Sequence, residues 1–394
     1  MKILMLGWEF PPFKSGGLGT YLYGFTKSLA QKNVKITFVM PRTESRINPG
    51  FIKVIQPNMK LVGLDGISLT PYLASIDLSE GTDSDESSKK AYGWDFFNEV
   101  KRFTFAAVRA VKNESCDVIH CHDWMTFPAG IALKKQKQKP LIVTIHSTEF
   151  DRTGNLSPHP AITEVEYNGL KEADRIITVS NYMKKQLIER YSIPEEKITV
   201  VHNAVEKNEY SLRERTSFGL KEKIVLFLGR LTIQKGPDWF LEAAYRVLKA
   251  SPDTRFVIVG DGDMLPELIN KSIAMGISDK VIFTGFKDDV LKFYGSADLF
   301  VMSSVSEPFG LTALEAMASG TPTIISKQSG VSEVVNHCMK VDFWDSDEMA
   351  NKILGVLNYE SMRKEMKHNS LIEVQKFSWD DVAEKCLNIY KEVA

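Results

Sequence analysis

Residues 299–326 read "LFVMSSVSEPFGLTALEAMASGTPTIIS". The stretch opens on a continuously apolar run, "LFVM", and closes on another, "TII". An apolar run without alternation is the pattern of a strand buried on both faces, as in a parallel sheet. Between them "LTALEAMAS" has helical periodicity, and Pro308 and Gly310 make the connection into it. Strand, helix, strand in that order is the unit of an α/β fold. Two carboxylates, Glu307 and Glu315, bracket the turn.

The same unit recurs in both directions along the chain. "KILMLG", "KITFVM", "DVIHC", "LIVTIH", "RIITVS" and "KITVVH" form one series of strands, separated by helices such as Leu18 to Gln31, Trp94 to Val111 and Asn181 to Tyr191. "IVLFLG", "RFVIVG", "KVIFTG", "LFVMSS" and "TPTIIS" form a second. Two series predict two Rossmann-like, doubly wound domains facing across a cleft. We place the first at residues 1–204 and the second at 205–376, with a C-terminal helix over 377–394 returning to the first domain. The polar stretch Ala204 to Lys223 reads as the join, and Ser75 to Lys90 as a surface loop.

The bulk numbers agree. A chain of 394 residues exceeds what one core serves, and 43% hydrophobic residues can fill two. A formal net charge of -1 gives no electrostatic case for nucleic acid or an anionic membrane as partner. The cysteines Cys116, Cys121, Cys338 and Cys386 form no CxxC pair, which fits a reducing compartment. "MKILMLGWEF" reads as a first strand instead of a leader, and no run reaches the ~20 apolar residues of a membrane helix. The expectation is a cytoplasmic protein without a membrane span; the oligomeric state stays open.

In open parallel sheets, ligands bind outside the carboxyl ends of the strands. The unusual residues of this chain fall there. After the first strand come Lys14, Gly16 and Gly17, just before a helix. Glycines let the backbone approach a ligand, and a helix N-terminus attracts an anion. An ordinary tight turn uses the same residues, and the pattern falls short of the GxGxxG of a dinucleotide site. "HCHDW" places His120 and His122 on one side of a strand, followed by Asp123 and Trp124 lining the cleft. No third metal ligand lies at a compatible spacing. His146 ends another strand and is a candidate substrate contact. In the second series Arg230 and Lys235, flanked by Gly229 and Gly236, follow a strand. Two cations there can hold a diphosphate and stabilise charge as it leaves; solvated surface bases are the plain alternative. Glu307 can reach a neutral polyhydroxyl group, and Glu315 a vicinal diol such as ribose. The Asp-x-Asp pairs at residues 83–85, 261–263 and 345–347 read as turn chemistry and not as metal sites, so no metal is expected.

Together these residues resemble the retaining GT-B glycosyltransferases, the large family that includes glycogen, starch and sucrose synthases. The E-x7-E pattern from Glu307 to Glu315, "GRLTIQKG" upstream and "ASGTPTI" downstream carry the resemblance. "KSGGL", "HCHDW" and "TIHS" are most similar to the glycogen synthases, whereas "EPFG", "KQSGV" and "HNAVE" depart from them. The resemblance implies that Lys14, Gly16 and Gly17 meet a diphosphate. It implies that His146, Asp123 and Asn203 contact the transferred sugar, and that Arg230 and Lys235 hold the diphosphate. Phe286 would stack near the base. Phe309, Gly310, Leu311 and Thr312 would meet the phosphates, Glu307 the sugar and Glu315 the ribose. His146, Arg230, Lys235 and Glu307 would be the catalytic set. The implied reaction moves glucose from ADP-glucose or UDP-glucose to an α-1,4-glucan with retention and without a cofactor or metal. Another saccharide, lipid or sugar-phosphate acceptor keeps the chemistry. A non-catalytic sugar-binding module on this scaffold is the competing class.

Overall fold

The computed structural model describes residues 1–13, 16–41, 46–57, 94–210 and 222–394, without the side chains of 94–96 and 208–209. Lys14, the residue pair at 83–85, the loop at 75–90 and most of the expected join lie outside these residues. The chain divides into two compact units. One comprises Met1–Glu149, Ser157–Asn203 and Trp379–Ala394; the other comprises Phe150–Leu156 and Ala204–Ser378.

The first unit holds a seven-stranded sheet of β1 (Lys2–Leu6), β2 (Lys35–Val39), β3 (Lys53–Ile55), β4 (Val118–His122), β5 (Leu141–Ile145), β6 (Arg175–Thr178) and β7 (Ile198–Val200). Its order is β3-β2-β1-β4-β5-β6-β7. All pairs are parallel, with Ile3 opposite Val118 and Ile119 opposite Leu141. Every residue of β4 and β5 is buried, as the unbroken apolar pattern requires. The order reverses direction at β1 and β4, and their carboxyl ends are therefore the expected ligand site of this sheet.

The second unit holds β8 (Lys223–Leu228), β9 (Thr254–Val259), β10 (Val281–Phe283), β11 (Leu299–Met302), β12 (Thr323–Ser326) and β13 (Met339–Val341). This sheet is also parallel, ordered β10-β9-β8-β11-β12-β13. Its switch point lies between β8 and β11. Phe227, Phe240, Phe256, Val301 and Ile353 are among the residues that fill its core. The opening stretch resolves into β11, the helix Leu311–Ala318 and β12.

Neither unit is a single run of sequence. The short segment Phe150–Leu156 belongs with the second unit, where the Ser306 hydroxyl donates to a buried Asp151 carboxylate at 2.6 Å. The C-terminal helix Trp379–Val393 belongs with the first. Its Trp379 packs on Gly24 of the helix Gly17–Gln31, where an added Cβ would sit 2.4 Å from the indole. A glycine is therefore what lets the two helices meet. Strands β3 and β13 are too short to announce themselves in the sequence.

Candidate active site

The β1 and β4 ends of the first unit carry a cluster of histidines. His120 and His122 lie on β4 and His146 follows β5. Because β4 and β5 are neighbours, with His122 opposite Thr144, the sequence gap between the histidines closes in space. His122 Nδ1 and His146 Nε2 are 3.1 Å apart. His120 is held on both sides, by the Tyr390 hydroxyl and by Thr144 Oγ1, each at 2.7 Å. Sequence spacing offered no third metal ligand beside His120 and His122; the fold brings His146 to His122. The nitrogens that meet are hydrogen-bonded to each other. Among the described residues no group of three or more His, Cys, Asp or Glu is arranged for a metal.

Burial keeps these rings neutral. It pushes His120 down to about 3, with the His146 ring adding to the effect. His122 is held well below the usual histidine range by burial and then by its two neighbours. His146 is lowered by burial, which the Asp123 charge partly offsets. Of the three, His146 alone retains some solvent exposure.

Asp123 corrects one expectation. Its side chain is buried instead of lining an open face, and its Oδ1 accepts the His146 backbone N–H at 2.7 Å. Its φ of 62° and ψ of 162° fall where glycine is the ordinary occupant. Such a conformation costs on the order of 1–3 kcal/mol and persists only when its surroundings over-determine it. Here they do: the Asp123 N–H donates to Thr144 O and its carbonyl accepts from the Thr126 N–H, both at 3.0 Å. Asp123 thus fixes the backbone that carries His146. Trp124 is likewise a core residue, 1% exposed. Asn203 is buried with an Oδ1 that has no hydrogen-bond partner among the described residues. Gly16 caps the helix Gly17–Gln31 in an extended conformation, leaving that N-terminus without a side-chain cap.

The switch point of the second unit is built from charge. Lys235 ends a turn after β8, and its Nζ donates to Glu307 Oε2 at 2.6 Å. Ser304 Oγ donates to the same oxygen at 3.1 Å. The Glu307 backbone is pinned on both sides, its N–H to Gln328 O and its carbonyl to the Gly330 N–H, each 2.9 Å. Gly236 is what docks the lysine turn here. It has φ 60°, and a Cβ on it would stand 2.3 Å from Ser303 O. Ser303 Oγ closes the contact by donating to Gly236 O at 2.7 Å. Arg230 follows β8, and its charge opposes the burial that raises the Asp263 carboxyl.

The helix Leu311–Ala318 begins after Gly310, whose φ of 109° suits no other residue, and it too lacks a side-chain cap. Its first N–H groups carry the positive end of the helix dipole. Glu315 sits mid-helix, where the Tyr294 hydroxyl donates to its Oε2 at 2.9 Å. Burial, and then the Glu315 charge, raise Tyr294 well above the usual tyrosine range, so it stays a donor. Leu311 and Thr312 are half-buried, whereas Phe309 is buried and its carbonyl accepts from the Val331 N–H at 2.7 Å. Phe309 therefore serves the loop's shape. Phe286 is 59% exposed after Gly285. Of the remaining Asp-x-Asp pairs, Asp261 accepts its neighbour's N–H in a turn, Asp345 caps a helix, and Asp347 pairs with Arg246.

Comparison with known proteins gives these features their context. Residues 209–371 match the family model described as glycosyl transferases group 1, and residues 87–209 match glycosyltransferase family 4. An uncharacterized glycosyltransferase of Methanocaldococcus jannaschii is 32% identical over 415 aligned positions, covering 99% of this chain and 98% of that protein. The chain belongs to the group 1 glycosyl transferases. The glycosyltransferase is also 28% identical to a glycogen synthase of Mycobacterium tuberculosis, over 85% of this chain and 80% of that one. A D-inositol 3-phosphate glycosyltransferase of Acidothermus cellulolyticus is 31% identical over 74% of this chain and 71% of that one. Sucrose-phosphate synthase from Thermosynechococcus elongatus shares the GT-B fold at a TM-score of 0.79 and 20% identity, covering 99% and 98% of the two chains.

Proposed function

We propose that this glycosyltransferase moves glucose from ADP-glucose or UDP-glucose to the end of an α-1,4-glucan, with retention at the anomeric carbon. The observation that carries the reading is the Lys235–Glu307 pair at the β8/β11 switch point. It sets a cation for the leaving diphosphate beside a carboxylate for the sugar hydroxyls. In this proposal Arg230, Lys235 and the uncapped helix start at Gly310 to Thr312 neutralise the diphosphate, with no metal or cofactor. Lys14, Gly16 and Gly17 are proposed as phosphate contacts in their own right. Glu315 accepts from the ribose and Phe286 stacks on the base. His146 and the unpartnered Asn203 Oδ1 serve the transferred sugar. The acceptor hydroxyl attacks C1 on the face from which the diphosphate leaves, and its proton passes to a departing phosphate oxygen. The C1–O bond to the phosphate breaks as the new glycosidic bond forms.

The likeness to a glycogen synthase over most of the chain supports the glucan acceptor. A phosphorylated small acceptor is the second reading, favoured by the 31% identity to an inositol-phosphate enzyme. Incubation with ADP-glucose and UDP-glucose, each with glycogen or with D-inositol 3-phosphate, tests both. Nucleotide release stimulated by glycogen supports the first reading. Release stimulated only by the inositol phosphate selects the second.

A further inference from the structure

The His122–His146 contact carries information about where the protons are. Both rings are neutral, so a single N–H lies between His122 Nδ1 and His146 Nε2, 3.1 Å apart. Two arrangements are open. In the first, His122 donates through Nδ1–H, and its Nε2 is a bare lone pair. In the second, His146 donates through Nε2–H, and His122 carries its proton on Nε2. His122 Nε2 is buried and has no hydrogen-bond partner among the described residues. The ring is flanked by Tyr21 and Phe25, with centroids 5.9 and 6.1 Å away. Among buried backbone groups an orphaned N–H is rarer than an under-satisfied acceptor, and we carry that preference over to the ring nitrogens. The first arrangement therefore wins.

Its consequence falls on His146. With Nε2 accepting, the His146 proton must sit on Nδ1. The backbone of His146 is already fixed by Asp123, and Tyr21 packs against the ring at 4.4 Å, edge to face. We propose that His122 is a positioning residue that fixes the tautomer of His146, so that His146 presents Nδ1–H as a donor to a sugar oxygen. The proposal rests on the reading of His146 as a contact of the transferred sugar. Lysine or arginine in place of His122 would crowd the cluster with charge; a neutral imidazole supplies direction alone. Among the described residues, the titratable groups around the pair are His120 on the same strand, with Tyr390 bonded to it, Tyr21 on the helix Gly17–Gln31 and Asp123 beside His146. Of these only Asp123 carries charge at neutral pH, and it favours protonation of His146. Acid therefore protonates His146 Nε2 and turns it against the His122 donor, which breaks the pair.

The experiment reads ring nitrogens of the full chain, labelled with 15N-histidine, in long-range 1H–15N spectra at pH 7.5. His146 is assigned by the signal lost in His146→Gln. The expected result is His146 protonated at Nδ1 and bare at Nε2. His122→Asn keeps a donor near the Nδ1 position and should keep that tautomer. His122→Phe keeps the bulk and removes the donor, so the Nε2–H form, ordinarily favoured by a free imidazole side chain, should become the major one. An Nε2–H tautomer in the unsubstituted protein overturns the proposal, as does an unchanged tautomer in His122→Phe. If His122→Phe does not fold, the spectra of the unsubstituted protein and His122→Asn decide alone. No substrate enters this measurement. A protein with the expected spectrum but no sugar transfer would sink the functional reading and leave the positioning role standing.

Discussion

The two switch points solve the same architectural problem with opposite chemistry. At the ends of β1 and β4 the histidines are buried, neutral and locked by hydrogen bonds, His120 to Tyr390 and Thr144 and His122 to His146, beside an Asp123 carboxylate that accepts a backbone N–H. At the ends of β8 and β11 they are charged, with Lys235 and Glu307 paired at 2.6 Å and a basic Arg230 nearby in the chain. Neutral donors suit a sugar, whose hydroxyls are uncharged and directional. Charges suit a diphosphate, whose negative charge grows as it leaves. The proposed division of labour can thus be attacked by substitutions that touch one chemistry and spare the other.

The largest effect belongs to the charged site. Lys235→Ala should lower turnover by on the order of 100-fold or more, the usual result of losing one donor to a developing anion. Circular dichroism should show an intact fold, because Lys235 is half-buried at the end of a turn. Arg230→Ala should behave alike. Near-normal rates in both variants would remove the leaving-group role and with it half of the contrast.

The neutral site should show itself in acid. A free histidine titrates near 6.5, and His120 in the folded chain is pushed down to about 3 by burial. Between those values the unfolded chain binds a proton that the folded chain refuses, so stability falls as pH falls from 6.5 towards 3 and is fully present above 6.5. At about 1.4 kcal/mol per pH unit, one such ring costs about 2 kcal/mol by pH 5. His120→Asn should therefore lose less melting temperature between pH 7 and pH 5 than the unsubstituted protein. Equal losses would mean that His120 accepts a proton while folded.

A smaller effect is expected at the tyrosine. Tyr294→Phe removes one hydrogen bond to Glu315, worth about 1.5–3 kcal/mol when the acceptor is charged. Glu315 keeps its own charge for the ribose, so nucleotide affinity should fall by less than in Glu315→Ala. Calorimetric titration of the two variants ranks them. The smallest effect is none at all: EDTA should leave transfer unchanged, because side-chain cations are proposed to do the neutralising. Activity that dies with chelator and returns with magnesium would contradict this.

Much of this was legible in the chain. The strand-helix-strand reading of residues 299–326 holds because continuous apolar runs have few alternatives in an α/β chain. The strand ends were legible for the same reason, and they gave Lys235, Glu307 and His146. What the sequence hid are partners across the fold. Tyr294 meets Glu315 from another helix, and Tyr390 reaches His120 across 270 residues. No local spacing announces either. Ser304 is different, since it lies three residues before the Glu307 it supports and could have been found. Asp123 was expected to line a cleft, and its burial was not visible in the chain.

The most direct test is calorimetric titration of ADP and UDP into the unsubstituted protein, Glu315→Ala, Glu307→Gln and His146→Gln. The free nucleotides carry a ribose and a diphosphate but no transferred sugar. Glu315→Ala should weaken the better-binding nucleotide by roughly 10- to 150-fold, the equivalent of about 1.5–3 kcal/mol. Glu307→Gln and His146→Gln should bind that nucleotide as the unsubstituted protein does, although turnover falls in both. Nucleotide affinity lost in His146→Gln or Glu307→Gln and kept in Glu315→Ala would contradict the assignment of sugar and nucleotide to their residues.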